Sequence, residues 1–167
     1  MPKLLGDKLI NRPFSIIGVQ QIAVGSDDKS ALKHLWVDLL GLTFLGTYKS
    51  ESENVDEDIC SIGHNDMAIE VDLMQPLDKS RSPRVDNPAL NHIGLWVDDL
   101  EVAVSWLSSK GVNFASGGIR EGASGHKICF VHPKASATHP FGGEGVLIEL
   151  VQAPKAVIES FNNSSKK

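Results

Sequence analysis

The stretch IGVQQIAVGSDDKSALKHLWVDLLGLTF, which begins at Ile17, is echoed by PALNHIGLWVDDLEVAVSWLSSKGVNF, which begins at Pro88. A chain that repeats itself in this way must place two copies of one supersecondary unit against each other. Each copy opens on a short alternating strand, Val19 to Val24 or Leu90 to Val97, passes through Asp-rich capping residues, and continues as an amphipathic helix that closes on Gly41 or Gly111. Leu32, Leu35, Trp36 and Leu39 recur at helical spacing in the first copy, as do Leu100, Ala103, Trp106 and Leu107 in the second, so both stripes are expected in the core. Three further strands follow each helix. They are expected at Thr43 to Tyr48, Asp58 to Ile62 and Met67 to Leu73, then at Val112 to Ala115, Lys127 to Val131 and Gly145 to Val151.

Each copy therefore reads βαβββ, and the chain is expected to be α+β: two tandem βαβββ modules forming a curved, partly closed mixed sheet. The predicted organisation is an N-terminal extension (1–15), a first module (16–76), a Pro- and charge-rich linker (77–88), a second module (89–154) and a C-terminal tail (155–167). Neither half is long enough to close a stable core alone. Cys60 and Cys129 fall on corresponding strands and are expected to be buried, unpaired thiols.

Alternation separates the strand faces. Ile69, Val71 and Leu73 share one face of their strand while Glu70 and Asp72 lie on the other; Glu149 stands opposite Val146, Ile148 and Leu150. Gln21 and His92 occupy matching places on the two opening strands, and Asp72 and Glu149 on the two closing strands. The intervals are similar, 51 residues from Gln21 to Asp72 and 57 from His92 to Glu149, with a longer loop absorbing the difference. A solvated sheet face would explain any one of these residues singly. If a two-fold relates the copies, all four converge, and one His nitrogen with several side-chain oxygens suits a six-coordinate divalent ion with open positions.

Charge and hydropathy exclude other partners. Sixteen Lys and Arg against 21 Asp and Glu give a formal net charge of −5, without the basic surplus of a nucleic-acid binder. No apolar run approaches the roughly 18 residues of a membrane span, and MPKLLGDKLINRPF does not read as a secretory signal, so a cytoplasmic protein is expected.

GHKICFVHPK followed by GVLIELVQAP, together with LNHIGLWVDDLE, resembles the vicinal oxygen chelate superfamily, which includes glyoxalase I, extradiol dioxygenases and, with the most similar motifs, methylmalonyl-CoA epimerases. The resemblance runs from about Ile17 to Pro154. It implies a divalent metal (Co, Mn, Ni or Zn) held by Gln21, Asp72, His92 and Glu149. Gln21 replaces the epimerase His and matches the residue of some glyoxalase I enzymes, while Asp72 is one methylene shorter than the usual Glu or Gln. The implied activity is exchange of the alpha proton of an acyl-CoA thioester through a stabilised enolate, with Glu149 and Glu57 as bases and Asp56 and Asp58 as rivals for the second role. The alternatives are a glyoxalase I-like lyase acting on a glutathione adduct and a non-catalytic binding or resistance protein. Arg120, Lys127 and Lys134 are candidates for an anionic part of the substrate; His126 and His132 read as structural. The loop 135–144, with His139 and a Pro-Phe pair, is expected to reshape the substrate mouth. Related proteins imply a homodimer, to which LLGDKLI and AVIESF could contribute.

Overall fold

The structure, a computed structural model, describes residues 12–65 and 68–164. The first half contains β1 (Ile16–Gly25), α1 (Lys29–Lys33), a π-helical segment (His34–Leu39), β2 (Thr43–Ser50), β3 (Val55–Ile62) and β4 (Ile69–Pro76). The second contains β5 (Leu90–Val97), α2 (Leu100–Ser109), β6 (Arg120–Glu121), β7 (Lys127–Val131) and β8 (Leu147–Gln152), and α3 (Lys155–Ser164) follows. Much of the predicted tail is thus helical, whereas LLGDKLI lies outside the described residues. All eight strands form one curled mixed sheet in the order β2-β3-β4-β1-β5-β8-β7-β6. The order is symmetric about the antiparallel β1–β5 pair, and each of these strands carries a parallel closing strand on its outer side, β4 or β8. Among the described residues no helix is long and apolar enough to cross a membrane.

The helices start where the caps predict. The Asp28 side chain accepts from the Ser30 backbone N–H at 2.9 Å, and Asp99 accepts from that of Val102 at 3.0 Å. They end at Gly41 (φ 79°) and Gly111 (φ 87°), where the left-handed backbone suits glycine. In α2, Leu100 and Ala103 are buried with Phe14, Val97, Cys129, Val131 and Leu150, and Trp106 and Leu107 pack on this cluster as the stripe predicts. The first helix departs from expectation. Leu32 and Trp36 pack against Leu42, Cys60, Val71 and Leu73, but Leu35 and Leu39 are 46% and 65% exposed. The Leu40 N–H donates to the Leu35 carbonyl five residues back, and this wider turn carries the later leucines off the face that a 3.6-residue period assigns them.

Two strands also differ. The predicted Val112 to Ala115 strand reduces to isolated bridges, Val112 with Phe141 and Phe114 with Val131, so the two-residue β6 forms the sheet edge. The loop 135–144 docks on the end of α2, where the Asn113 N–H donates to the Phe141 carbonyl at 2.7 Å. Cys60 and Cys129 are buried, free thiols on β3 and β7.

Because Leu100 is fully buried in the cluster beneath α2, Leu100→Ala is expected to cost about 3 kcal/mol of stability, measured by denaturant unfolding. A change below about 1 kcal/mol would contradict this assignment of the core.

Candidate functional site

The sheet curls around a cavity of about 700 Å³, lined from the first half by Gln21, Glu57, Glu70 and Asp72 and from the second by His92 and Glu149, among others. This volume is in the range of small-molecule sites. Register explains the convergence. Gln21 pairs with Gly94, and Ala23 with His92, so Gln21 and His92 flank the local two-fold. Each closing carboxylate then stands beside the residue two positions further along: Asp72 pairs with Ala23, and Glu149 with Gly94. A Cβ at position 94 would come within 2.7 Å of both Gln20 Oε1 and Gln21 Cγ, so glycine here leaves room for Gln21.

Three of the four predicted ligands are in direct contact. Gln21 Nε2 lies 2.7 Å from Glu149 Oε2 and 2.6 Å from His92 Nε2, and His92 Nε2 is 3.4 Å from Glu149 Oε2. The fourth, Asp72, is buried, and its Oδ1 has no hydrogen-bond partner among the described residues. Among the described residues, no three of His, Cys, Asp and Glu form a metal-holding group by themselves. Gln21 would add an amide oxygen to the candidate donors His92, Glu149 and Asp72. Imidazole nitrogen, carboxylate and amide oxygen suit a divalent cation, and Asp72 Oδ1 has free lone pairs to face one, which would have to displace the proton that burial holds on this carboxyl. Gln21 can ligate only through Oε1, so its amide, which now donates to Glu149 and His92, would have to turn over.

Electrostatics separate the two walls. Burial first, then repulsion from Glu57, Glu70 and Glu149, pushes Asp72 up to about 9. Burial and the charges of Glu70 and Glu149 push Glu57 up to about 7, and burial also raises Glu70. The two-fold register carries Glu57 onto Ile128 and Glu70 onto Leu147. One wall of the cavity is therefore acidic where its counterpart is apolar.

Strand alternation sorts the acidic run on β3. Glu57 lines the cavity. Asp56 is paired with Lys29 and Lys49, and Asp58 with Lys29 at 2.8 Å and Lys33 at 3.2 Å. Arg120 lies at the cavity over the Phe130 ring, 5.2 Å from its centroid and 3.7 Å from Glu53 Oε1. Lys127 pairs with Glu101 on α2 at 3.1 Å, and neither it nor Lys134 lines the cavity. His126 stacks edge-on against Trp96, and His132 Nδ1 accepts from the Lys134 N–H at 2.9 Å. Pro133 and Gly145 reach the cavity, but residues 134–144 between them do not.

Of the residues at the cavity, Glu70, Arg84 and Asn91 are not singled out by the sequence, although alternation places Glu70 beside Asp72; Gln20, which reaches Glu70 at 3.5 Å, is missed as well. Register shifts make Gln20 the extra residue between the pairs Val19–Leu95 and Gln21–Gly94, and Asn91 the extra residue between His92–Ala23 and Leu90–Val24. A bulge re-aims a side chain that strict alternation would send to the other face. The two bulges occupy matching places immediately before Gln21 and His92. Arg84, held by Asp86 at 2.8 Å, reaches the cavity from the segment between β4 and β5.

A family model described as the Glyoxalase/Bleomycin resistance protein/Dioxygenase superfamily matches residues 20–130. The chain is similar in structure to methylmalonyl-CoA epimerase from Mycobacterium tuberculosis, with TM-score 0.68, 25% identity, and coverage of 86% of this chain and 93% of that one. It is also similar to Streptomyces coelicolor methylmalonyl-CoA epimerase in complex with 2-nitronate-propionyl-CoA, with TM-score 0.68, 24% identity, and coverage of 83% and 99%. A hypothetical protein from Bacillus halodurans gives TM-score 0.67 and 21% identity, with coverage of 86% and 96%. No curated protein matches the chain by sequence.

The raised values of Glu57 and Asp72 make the metal-free protein depend on pH. Both groups hold protons more tightly when folded, so their contribution to stability is complete below the ordinary carboxylate range and is lost as pH rises through about 7 and then about 9. The Tm of metal-free protein is expected to fall between pH 5 and 9, and Asp72→Asn to flatten much of that fall, at about 2–4 °C for each kcal/mol recovered. Parallel curves for the two proteins in differential scanning calorimetry would contradict this electrostatic assignment.

Proposed function

This chain belongs to the glyoxalase/bleomycin resistance protein/dioxygenase superfamily, and from that premise we propose that it is a metal-dependent epimerase or isomerase exchanging the alpha proton of an acyl-CoA thioester. The observation that carries the reading is the pair Glu57 and Glu149. They approach one cavity from strands on opposite sides of the β1–β5 pair, with His92 and Asp72 between. Inverting a carbon centre requires a proton to leave one face and another to arrive on the opposite face, which two such carboxylates can serve. The Glu57 value near 7 favours a group that both gives and takes a proton near neutral pH.

Gln21, Asp72, His92 and Glu149 are the residues that would hold the metal. A divalent ion there would supply Lewis-acid stabilisation of the charge that develops on the thioester oxygen as the alpha proton leaves. The apolar side chains of Ile128, Phe130 and Leu147 suit the acyl part of the substrate, and Arg84 and Arg120, the latter over the Phe130 ring, suit its anionic groups. Structures of similar epimerases are complexes with methylmalonyl-CoA and with 2-nitronate-propionyl-CoA, and these complexes support an acyl-CoA as the class to test first.

A glutathione hemithioacetal is the second reading, favoured by Gln21 standing against His92 and Glu149. It also calls for proton transfer beside a carbonyl, so the two readings separate by substrate. Incubated with methylmalonyl-CoA in D2O, the metal-loaded protein is expected to introduce deuterium at the alpha carbon, followed by NMR. Glu57→Gln should slow this by about 10²-fold or more. Turnover of the hemithioacetal without alpha exchange on the thioester would favour the second reading, and exchange unaffected by Glu57→Gln would overturn the role given to that residue.

A further inference from the structure

We propose that Asn91 is a positioning residue that fixes His92 in the tautomer whose Nε2 lone pair faces the cavity, and that the segment between β4 and β5 is its anchor. His92 Nδ1 lies 2.8 Å from Asn91 Oδ1. That contact alone leaves the direction of the hydrogen open, because an amide side chain can be turned over. The anchor resolves it. Asn91 Nδ2 donates to the Val85 carbonyl at 3.2 Å, and a carbonyl can only accept. Asn91 therefore presents its oxygen to the ring, Nδ1 carries the hydrogen, and Nε2 keeps a lone pair.

A second contact gives the same answer from the other side of the ring. Gln21 must turn its Nε2 toward Glu149, since its oxygen there would face a carboxylate oxygen at 2.7 Å. The same nitrogen is 2.6 Å from His92 Nε2, which must then accept. The Phe130 ring stands edge-on to the imidazole, with centroids 5.5 Å apart and planes at 86°, and limits its rotation.

The anchor is itself held. Asn54 is fully buried; its Nδ2 reaches the carbonyls of Asp78, Arg81 and Pro83 at 2.9–3.0 Å, and its Oδ1 accepts from the Asp78 N–H at 2.8 Å. The inter-strand segment is thereby tied down just before Val85. The bulge at Asn91 completes the device by turning toward the site a side chain that regular alternation would direct away from it. A histidine whose distal nitrogen is fixed by a second group is already arranged to ligate or to accept a proton through the other.

The tautomer stands on geometry alone, whereas its consequence for metal uptake rests on the function proposed above, and two readouts keep these apart. The first is the two-bond 1H–15N spectrum of His92 in 15N-labelled, metal-free protein at a pH where the ring is neutral. Wild type is expected to show the Nδ1–H form; Asn91→Ala should shift the population toward Nε2–H, which can donate to Glu149 as the Gln21 amide turns over; Asn91→Asp, which retains an acceptor, should keep Nδ1–H. An Nε2–H signal in wild type, or an unshifted Nδ1–H signal in Asn91→Ala, overturns the proposal. If Asn91→Ala fails to fold, an Nε2–H form in Asn91→Asp overturns it equally. The second readout is zinc affinity by calorimetry, expected to fall about 10–100-fold in Asn91→Ala. Failure of wild type to take up zinc, cobalt, nickel or manganese would remove the metal-dependent function and leave the tautomer result to stand on its spectrum.

Discussion

The antiparallel pairing of β1 with β5 is the constraint on which the rest depends. Its register sets Gln21 opposite Gly94 and Ala23 opposite His92, so the two opening polar residues flank a local two-fold. The parallel pairings of β4 and β8 then deliver Asp72 and Glu149 beside that centre. A slip of one residue would send these side chains to the opposite face of the sheet. The matching bulges at Gln20 and Asn91 supply second contacts, Gln20 toward Glu70 at 3.5 Å and Asn91 to His92. Architecture and chemistry thus share one origin, the way the two copies are joined.

The duplication also explains what differs between the halves. The parent geometry is retained, but Glu57 and Glu70 face the cavity where Ile128 and Leu147 stand on the other side. Burial and mutual repulsion hold protons on the acidic wall. That wall suits a cation and proton transfer, and the apolar wall suits hydrocarbon. The superfamily's fold serves many chemistries, and the division of this cavity, rather than the fold, bears on function.

Much of this was legible in the sequence because repetition and alternation are long-range regularities. The repeat, the caps at Asp28 and Asp99, the closing glycines and the buried cysteines all follow from patterns that the packing leaves intact. Gln21, His92 and Glu149 were legible for the same reason, and the structure brings them into contact. Local departures from regularity were hidden. Nothing in HLWVDLL signals the π-helical turn that exposes Leu35 and Leu39, and no residue marks the bulges at Gln20 and Asn91. The repeat itself offered one clue, since the bulged residues occupy equivalent places. The loop 135–144 illustrates the opposite case: an insertion beside a site suggests a reshaped substrate mouth, yet its backbone hydrogen bonds carry Phe141 to Gly111 and Asn113, just after α2, and none of its residues lines the cavity.

The cation site we propose draws ligands from both halves of the chain, and metal stoichiometry tests it most directly. Protein reconstituted with cobalt, manganese, nickel or zinc, freed of excess ion and analysed by elemental mass spectrometry should hold close to one divalent ion per chain, and a folded variant carrying both His92→Ala and Glu149→Ala should hold almost none. Wild type that retains no ion, or a double variant that retains as much as wild type, would contradict it.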